Sequence, residues 1–282
     1  MAVGKRFSFA DVLIYLFLFI FTAICVLPFW FIIAASVSGT GSGVVIQDFT
    51  LDAYRFIFST PRLSRSLLFT IRLTIIGTFL QLFITSLMAY ALSEVELPGR
   101  RLILNMVIFT MLFSGGMIPT FFVVRSTGLL DSMWALIIPT LVSPFNLIVM
   151  KNFFQNLPDE LKESARLDGC HELIILLRIV MPLSVPVLAT FGLFYSVALW
   201  NTYMGARLYI STPALFPIQV LLRTIVVSPA GIGDSVMMSQ MQIHGNNIRM
   251  AVVVFATIPI VCVYPFLQKH FSKGIMVGSI KG

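Results

Sequence analysis

Apolar residues run almost without charged interruption through six stretches of the chain, 12–36, 73–93, 102–124, 132–150, 179–206 and 250–268. A hydrocarbon layer about 30 Å thick takes roughly 20 helical residues to cross, so each stretch predicts a membrane-spanning helix. Prolines fall inside several of them (Pro28, Pro119, Pro139, Pro144, Pro182, Pro186, Pro259, Pro265). In a membrane, neighbouring helices rescue the carbonyls that a proline frees, so these positions predict kinks and not missing spans.

Composition agrees with that pattern. The chain is 58% hydrophobic and only 11% charged, with a mean hydropathy of +0.95. Ordinary globular domains are about 25% charged, which excludes a soluble enzyme, a disordered chain and a nucleic-acid-binding module. The net charge of +7 is informative through its placement. Lys5 and Arg6 precede the first run, which is too long for a cleavable signal peptide and is expected to stay as a signal anchor. With the N-terminus inside, six spans put 94–101, 151–178 and 269–282 on the cytoplasmic side, together with all six lysines. Arg55, Arg62, Arg65 and Arg72 then face out and weaken the rule. Cys25, Cys170 and Cys262 have no metal-ligand spacing and are expected as free thiols.

The inner segment between the fourth and fifth runs reads as a short amphipathic helix. Asn156 suits a cap, Pro158 a first turn and Gly169 the position after the last turn. Leu157, Leu161, Ala165 and Asp168 recur at helical spacing and predict one face, flanked by Glu160 and Glu163. Helices that lie on lipid favour Lys and Arg on their polar side, whereas this segment holds Asp159, Glu160, Glu163, Asp168 and Glu172. An acidic helix favours a protein groove over anionic lipid, so docking on a partner is the preferred reading.

The same segment carries a family resemblance. Glu163-Ser-Ala-Arg-Leu-Asp168-Gly169, followed by Pro182-Leu-Ser-Val-Pro186, resembles the EAA loop of permease subunits in binding-protein-dependent ABC importers. Similarity extends from the first run through Leu97-Pro98-Gly99-Arg100 and Phe113-Ser114-Gly115-Gly116 to Gly274-Ile-Met-Val-Gly278-Ser-Ile-Lys281-Gly282. Within the family the chain is similar to the maltose-importer type, in the subfamily that takes up oligosaccharides released from plant or algal polysaccharides. Ser164, Cys170 and Leu176 depart from the usual Ala, small and aromatic residues.

The resemblance implies an all-α integral membrane protein with six transmembrane helices and the type I ABC importer permease fold. Residues 1–66 would form the anchor helix and first external loop, and 67–282 the transmembrane core, with a coupling helix at about 157–170. It further implies that Glu160, Glu163, Ser164, Ala165, Asp168 and Gly169 engage an ATP-binding cassette subunit, Glu163 as the acidic contact and Gly169 as the turn. The loop before the last span, with Ser228, Pro229, Gly231 and Gly233, would meet an extracytoplasmic solute-binding protein, although on the sequence alone an ordinary surface loop is the preferred reading. The implied partners are a second homologous permease subunit, a dimer of ATPase subunits, the binding protein, a carbohydrate and membrane lipid, with no nucleic acid. The expected location is the bacterial cell membrane, multi-pass, with both termini cytoplasmic.

Other residues speak to mechanism without the resemblance. The sequence contains no G-x-x-x-x-G-K-[ST] phosphate loop. Expected cofactors are therefore none in this chain, and the resemblance implies ATP and Mg on the partner ATPase subunits. No ionisable group sits near the centre of a predicted span, which argues against a proton- or sodium-coupled carrier. The spans offer uncharged hydrogen-bonding groups instead. Tyr195, Trp200, Asn201 and Tyr203 are the candidate substrate pathway, with an interfacial aromatic belt as the competing reading. Gln81 and Asn105 read as interhelical bonding groups. His171, His244 and His270 lie far apart with no metal or catalytic spacing. Together with the resemblance, the function expected is import of an oligosaccharide, driven by ATP hydrolysed elsewhere, and not catalysis.

Overall fold

The computed structural model describes residues 9–39, 45–227 and 246–278, with the side chains of 10, 227 and 263–278 set aside. Those residues are helical and form no strand beyond an isolated bridge between Ser38 and Phe49. Two compact units divide the chain, Met1–Ser64 with Leu222–Thr257, and Arg65–Leu221 with Ile258–Gly282.

In the first unit, α1 (Phe9–Val37) is apolar on every side, and the most hydrophobic window within Asp11–Val37 is 0% buried. A helix of that kind takes lipid or another chain as its surroundings. Its end is tied to α2 (Asp52–Ser59) by a 2.8 Å hydrogen bond between the Ser36 and Tyr54 hydroxyls.

The second unit is built on α3 (Pro61–Ser93), whose 33 residues reach about 50 Å at 1.5 Å per residue. It outlasts the hydrocarbon layer and delivers Tyr90 and Glu94 to one end of the unit. Helices run through all six apolar stretches, and among the described residues those at 12–36 and 73–93 lie in single helices that meet the length and hydropathy of a crossing, while the run at 250–268 lies within one helix, Asn246–Gly278. The run at 102–124, expected as one span, is two helices, α4 (Arg100–Leu112) and α5 (Met117–Ser126). Gly116 adopts a left-handed φ of 83°, and the Ser114 hydroxyl accepts its N–H at 3.2 Å, so the backbone turns there. Pro119 consequently sits in the first turn of a new helix, where no N–H is needed.

The same logic revises the next two runs. α6 (Trp134–Ile137) and the 3-10 turn Ile138–Thr140 meet α7 (Pro144–Gln155) at 55°, with Ser143 capping α7 and Pro144 opening it. After α8 (Asp159–Leu167), α9 (Glu172–Ile175) passes through a π turn, Leu176–Val180, into α10 (Met181–Leu183). That segment meets α11 (Val185–Trp200) at 88°. Pro186 thus opens a new helix, whereas Pro182 lies within the continuous stretch Glu172–Leu183, and the expected kink is the 88° bend between the two prolines. Among the described residues α12 (Met204–Tyr209), α13 (Ile218–Val227) and α14 (Asn246–Gly278) follow.

One core cluster of this unit joins Ala89 and Tyr90 of α3, Leu147, Met150 and Phe154 of α7, Ala165 of α8, Leu176 of the π turn, and Phe191 and Tyr195 of α11. Leu176, the departure from an aromatic, is therefore a buried member of this core.

Candidate functional site: the α8 segment and its anchors

Pro158 leads into α8, and the helix ends with Asp168 as its cap and Gly169 at a φ of 76°. The Cys170 N–H donates to Ala165 O and the Gly169 N–H to Arg166 O, both at 3.0 Å, closing the end in a Schellman arrangement. Asn156, expected as the cap of α8, instead closes α7.

The buried side of α8 keeps only part of the predicted stripe: Leu157, ahead of the helix, and Ala165 pack on the core cluster, but Leu161 and Asp168 do not. Lys162 and Ala165 are its buried residues, whereas Leu161 and Asp168 are exposed. Ala165 enters the core cluster, and Lys162, with a side chain only 5% exposed, is neutralised by Asp159 at 3.3 Å and Glu94 at 3.9 Å. A buried ammonium needs such partners. At about 100° per residue, Glu160, Glu163, Ser164 and Leu167 fall in one sector opposite the buried side. All four are exposed, Leu167 at 89%. The outward sector therefore combines two carboxylates with an unburied leucine.

Arg166 lies at the edge between the two sides. Its Nε donates to Glu172 Oε1 at 2.7 Å and its Nη2 to Glu172 Oε2 at 3.4 Å. The same Nη2 stands 3.0 Å from Glu94 Oε1, a contact close enough for an ion pair though not aligned as a hydrogen bond. Bonding to Glu172 holds the guanidinium above its already high ordinary pKa, against the effect of burial. The Tyr90 hydroxyl donates to Glu172 Oε2. Nearby, Arg100 Nε donates to Leu92 O at 2.8 Å and Nη2 to Gln155 Oε1 at 3.3 Å, so the Pro98-Gly99-Arg100 turn joins α3 to the end of α7. His171 Nδ1 accepts the Leu173 N–H at 3.2 Å and caps α9.

Asp159 and Glu172 are thus engaged within the chain, which leaves Glu160, Glu163 and Asp168 as the outward acids. Arg166, Glu94 and Tyr90 were not legible as site residues. The available signal was two bases at helical spacing, Lys162 and Arg166, on an otherwise acidic helix.

The candidate pathway residues separate. Tyr195 and Trp200 are buried, Tyr203 is half-buried and Asn201 exposed. The Tyr195 hydroxyl bonds Thr85 Oγ1 at 2.8 Å and accepts the Ser143 N–H at 3.3 Å, making it a three-helix latch. Trp200 Nε1 is buried without an acceptor among the described residues. Asn201 Oδ1 accepts from Gln219 Nε2 at 3.4 Å. Gln81 Nε2 bonds Thr140 O at 2.8 Å, the interhelical role expected of it. Ser228, Pro229, Gly231, Gly233 and Lys281 lie outside the described residues. The cysteines are free, and among the described residues no His, Cys, Asp and Glu cluster could hold a metal.

Residues 1–277 match the family described as binding-protein-dependent transport system inner membrane component. Over 280 residues the sequence is 55% identical to the polygalacturonan/rhamnogalacturonan transport system permease protein YtcP of Bacillus subtilis (strain 168), covering 96% of this chain and 98% of that one. It is 51% identical to protein LplC of the same organism, over 92% of this chain and 90% of the relative. Among solved structures it superposes on a chain of a bacterial ABC transporter involved in the import of the acidic polysaccharide alginate, with a TM-score of 0.88 at 29% identity. That match covers 95% of this chain and 100% of the other.

Proposed function

The chain belongs to the family of binding-protein-dependent transport system inner membrane components and is the membrane-spanning permease of an ABC sugar importer; from that premise we propose that it admits acidic oligosaccharides from a pectin-like polysaccharide and is driven through α8. The substrate class rests on the 55% identity to a polygalacturonan/rhamnogalacturonan permease. The observation that carries the coupling is the outward sector of α8. Glu160, Glu163, Ser164 and the 89% exposed Leu167 face away from the core with nothing of this chain's core beneath them. An unburied leucine among carboxylates favours a protein groove with basic rims.

In this reading α8 seats on an ATP-hydrolysing subunit, which holds the ATP and Mg. Ala165 anchors the helix from inside, and Asp168 and Gly169 form its turn. A second permease completes the pathway, and a loaded binding protein meets the outer loops. With both termini cytoplasmic, the α8 end of the molecule faces the ATPase side. ATP-driven closure of the partner pair then displaces α8, and the spans follow because the two conformations differ in their contacts with nucleotide-loaded ATPase.

The test is the double variant Glu163→Arg with Gly169→Val in the assembled importer. Loss of substrate-stimulated ATP hydrolysis, with the subunit still inserted in the membrane, supports docking at α8; unchanged stimulation rejects it.

A further inference from the structure

Gly169 is the joint between α8 and the segment that starts at Glu172. Its left-handed backbone carries no side chain, and a Cβ there would meet nothing within 4 Å. The backbone bonds that close α8 reach only as far as Cys170. A joint without packing passes on motion poorly, because a push on one arm is absorbed as rotation. Arg166 precedes the joint and Glu172 follows it, and their paired contacts at 2.7 and 3.4 Å span it. The same guanidinium reaches Glu94, one residue beyond α3, at 3.0 Å, and Tyr90 of α3 holds Glu172 from the other side.

We infer that Arg166 is the positioning residue that stiffens this joint, so that a displacement of α8 reaches α3 and the α9–α11 segment together instead of being lost at Gly169. The inference rests on the reading of α8 as the ATPase-coupling helix and adds the element that makes coupling efficient. Arg166 itself lies outside the outward sector of Glu160, Glu163, Ser164 and Leu167. Its side chain is 37% exposed and that of Glu172 is 52% exposed, so the pair resembles surface ion pairs that add little to folding. Its value is geometric. A planar guanidinium holds a carboxylate at two points and still reaches a second carboxylate, which fixes an angle; an ammonium is a point charge and fixes only a distance.

The experiment uses the whole importer in proteoliposomes, with the second permease, the ATPase subunits and a loaded binding protein. Arg166→Gln, Arg166→Lys and Glu172→Gln are compared with the unaltered chain for complex recovered, basal ATP hydrolysis, substrate-stimulated hydrolysis and sugar moved per ATP. With the joint loosened, Arg166→Gln and Glu172→Gln retain ATPase subunits and basal hydrolysis. Stimulation falls about tenfold, within the usual range of coupling between sites, and sugar moved per ATP falls with it. Arg166→Lys lies between. Full stimulation in Arg166→Gln overturns the inference, as does a parallel fall in complex recovered, basal and stimulated activity, which makes Arg166 a folding residue. The Glu163→Arg, Gly169→Val variant separates the two readings. If it loses stimulation while Arg166→Gln keeps it, docking at α8 stands and the stiffened joint fails; if it keeps full stimulation, docking at α8 fails and the inference falls with it.

Discussion

Gly77 on α3 and Leu199 on α11 meet with no room for a methyl group between them: a Cβ on Gly77 would stand 2.5 Å from Leu199 Cδ1 and 3.4 Å from Ile137 Cγ1. Lipid tails are as apolar as leucine, so helices in a membrane associate by fitting closely, and a glycine at the crossing permits that fit. Gly77→Ala is tolerated, because the atom in the way is the rotatable tip of Leu199. Gly77→Leu forces the helices apart and destabilises the purified permease by about 1–3 kcal/mol. Thermal unfolding in detergent checks this, and equal melting of the two variants contradicts the close crossing.

Tyr195 tests whether a polar group in a span serves the substrate or the fold. Its hydroxyl is committed to Thr85 at 2.8 Å and to the Ser143 N–H at 3.3 Å. Tyr195→Phe leaves both partners without it and lowers stability by about 1 kcal/mol, with sugar uptake unchanged at temperatures where the complex is intact. A fall in uptake at unchanged stability returns Tyr195 to the pathway.

A pH prediction follows from Asp131, which holds the strand of chain after α12. Its Oδ2 accepts the Thr212 hydroxyl at 2.6 Å, and its Oδ1 accepts the N–H groups of Thr212 at 2.8 Å and Ser211 at 2.9 Å. The Thr212 hydroxyl, followed by the two N–H groups, holds this carboxyl below its usual range. A depressed pKa gives a contribution that is complete above the ordinary carboxylate value of about 3.9 and is lost as pH falls through the folded value. Protease resistance of 210–217 is therefore flat from about pH 8 to about pH 5 and declines only under strongly acid conditions. Asp131→Asn, which suits the left-handed φ of 58°, raises cleavage across that whole range. Equal resistance of the two proteins at neutral pH rejects the tether.

The membrane class was legible because uncharged runs as long as 12–36 and 73–93 match the length a helix needs to cross the hydrocarbon layer. Broken helices were harder to read, since a proline inside an apolar run marks either a kink or a beginning. The residues just ahead of it decide. Ser143 can cap and Gly116 can turn left-handed, so Pro144 and Pro119 each sit near the start of a helix. On α8 the punctuation at Pro158 and Gly169 was readable, but the buried side only in part. Lys162 reads as a solvent residue from local sequence alone. Its burial depends on Glu94, and the orientation of Arg166 on Glu94 and Glu172, carboxylates that the fold brings together from outside α8. The family resemblance pointed to Glu160 and Glu163 as the acids proposed to dock. It was silent on the ion pairs behind them, because those depend on residues that this chain carries outside the motif.

Trp200 and Asn201 supply the remaining prediction, about the pathway itself. Trp200 Nε1 is a buried donor without an acceptor among the described residues, and Asn201 beside it is exposed and reaches Gln219. An unpaired buried N–H costs about 1–3 kcal/mol, a cost relieved if a sugar hydroxyl accepts from it during passage. Trp200→Phe keeps an aromatic ring and removes the donor, so packing is largely preserved. If the donor serves the substrate, Trp200→Phe lowers uptake about 5–10-fold at saturating binding protein, the loss expected for one hydrogen bond of about 1–1.4 kcal/mol. Basal ATP hydrolysis and complex yield stay level. Asn201→Ala, at the exposed end, raises the concentration of loaded binding protein needed for half-maximal uptake. Uptake that is unchanged in Trp200→Phe assigns this tryptophan to packing alone and moves the pathway to the Asn201 and Gln219 side.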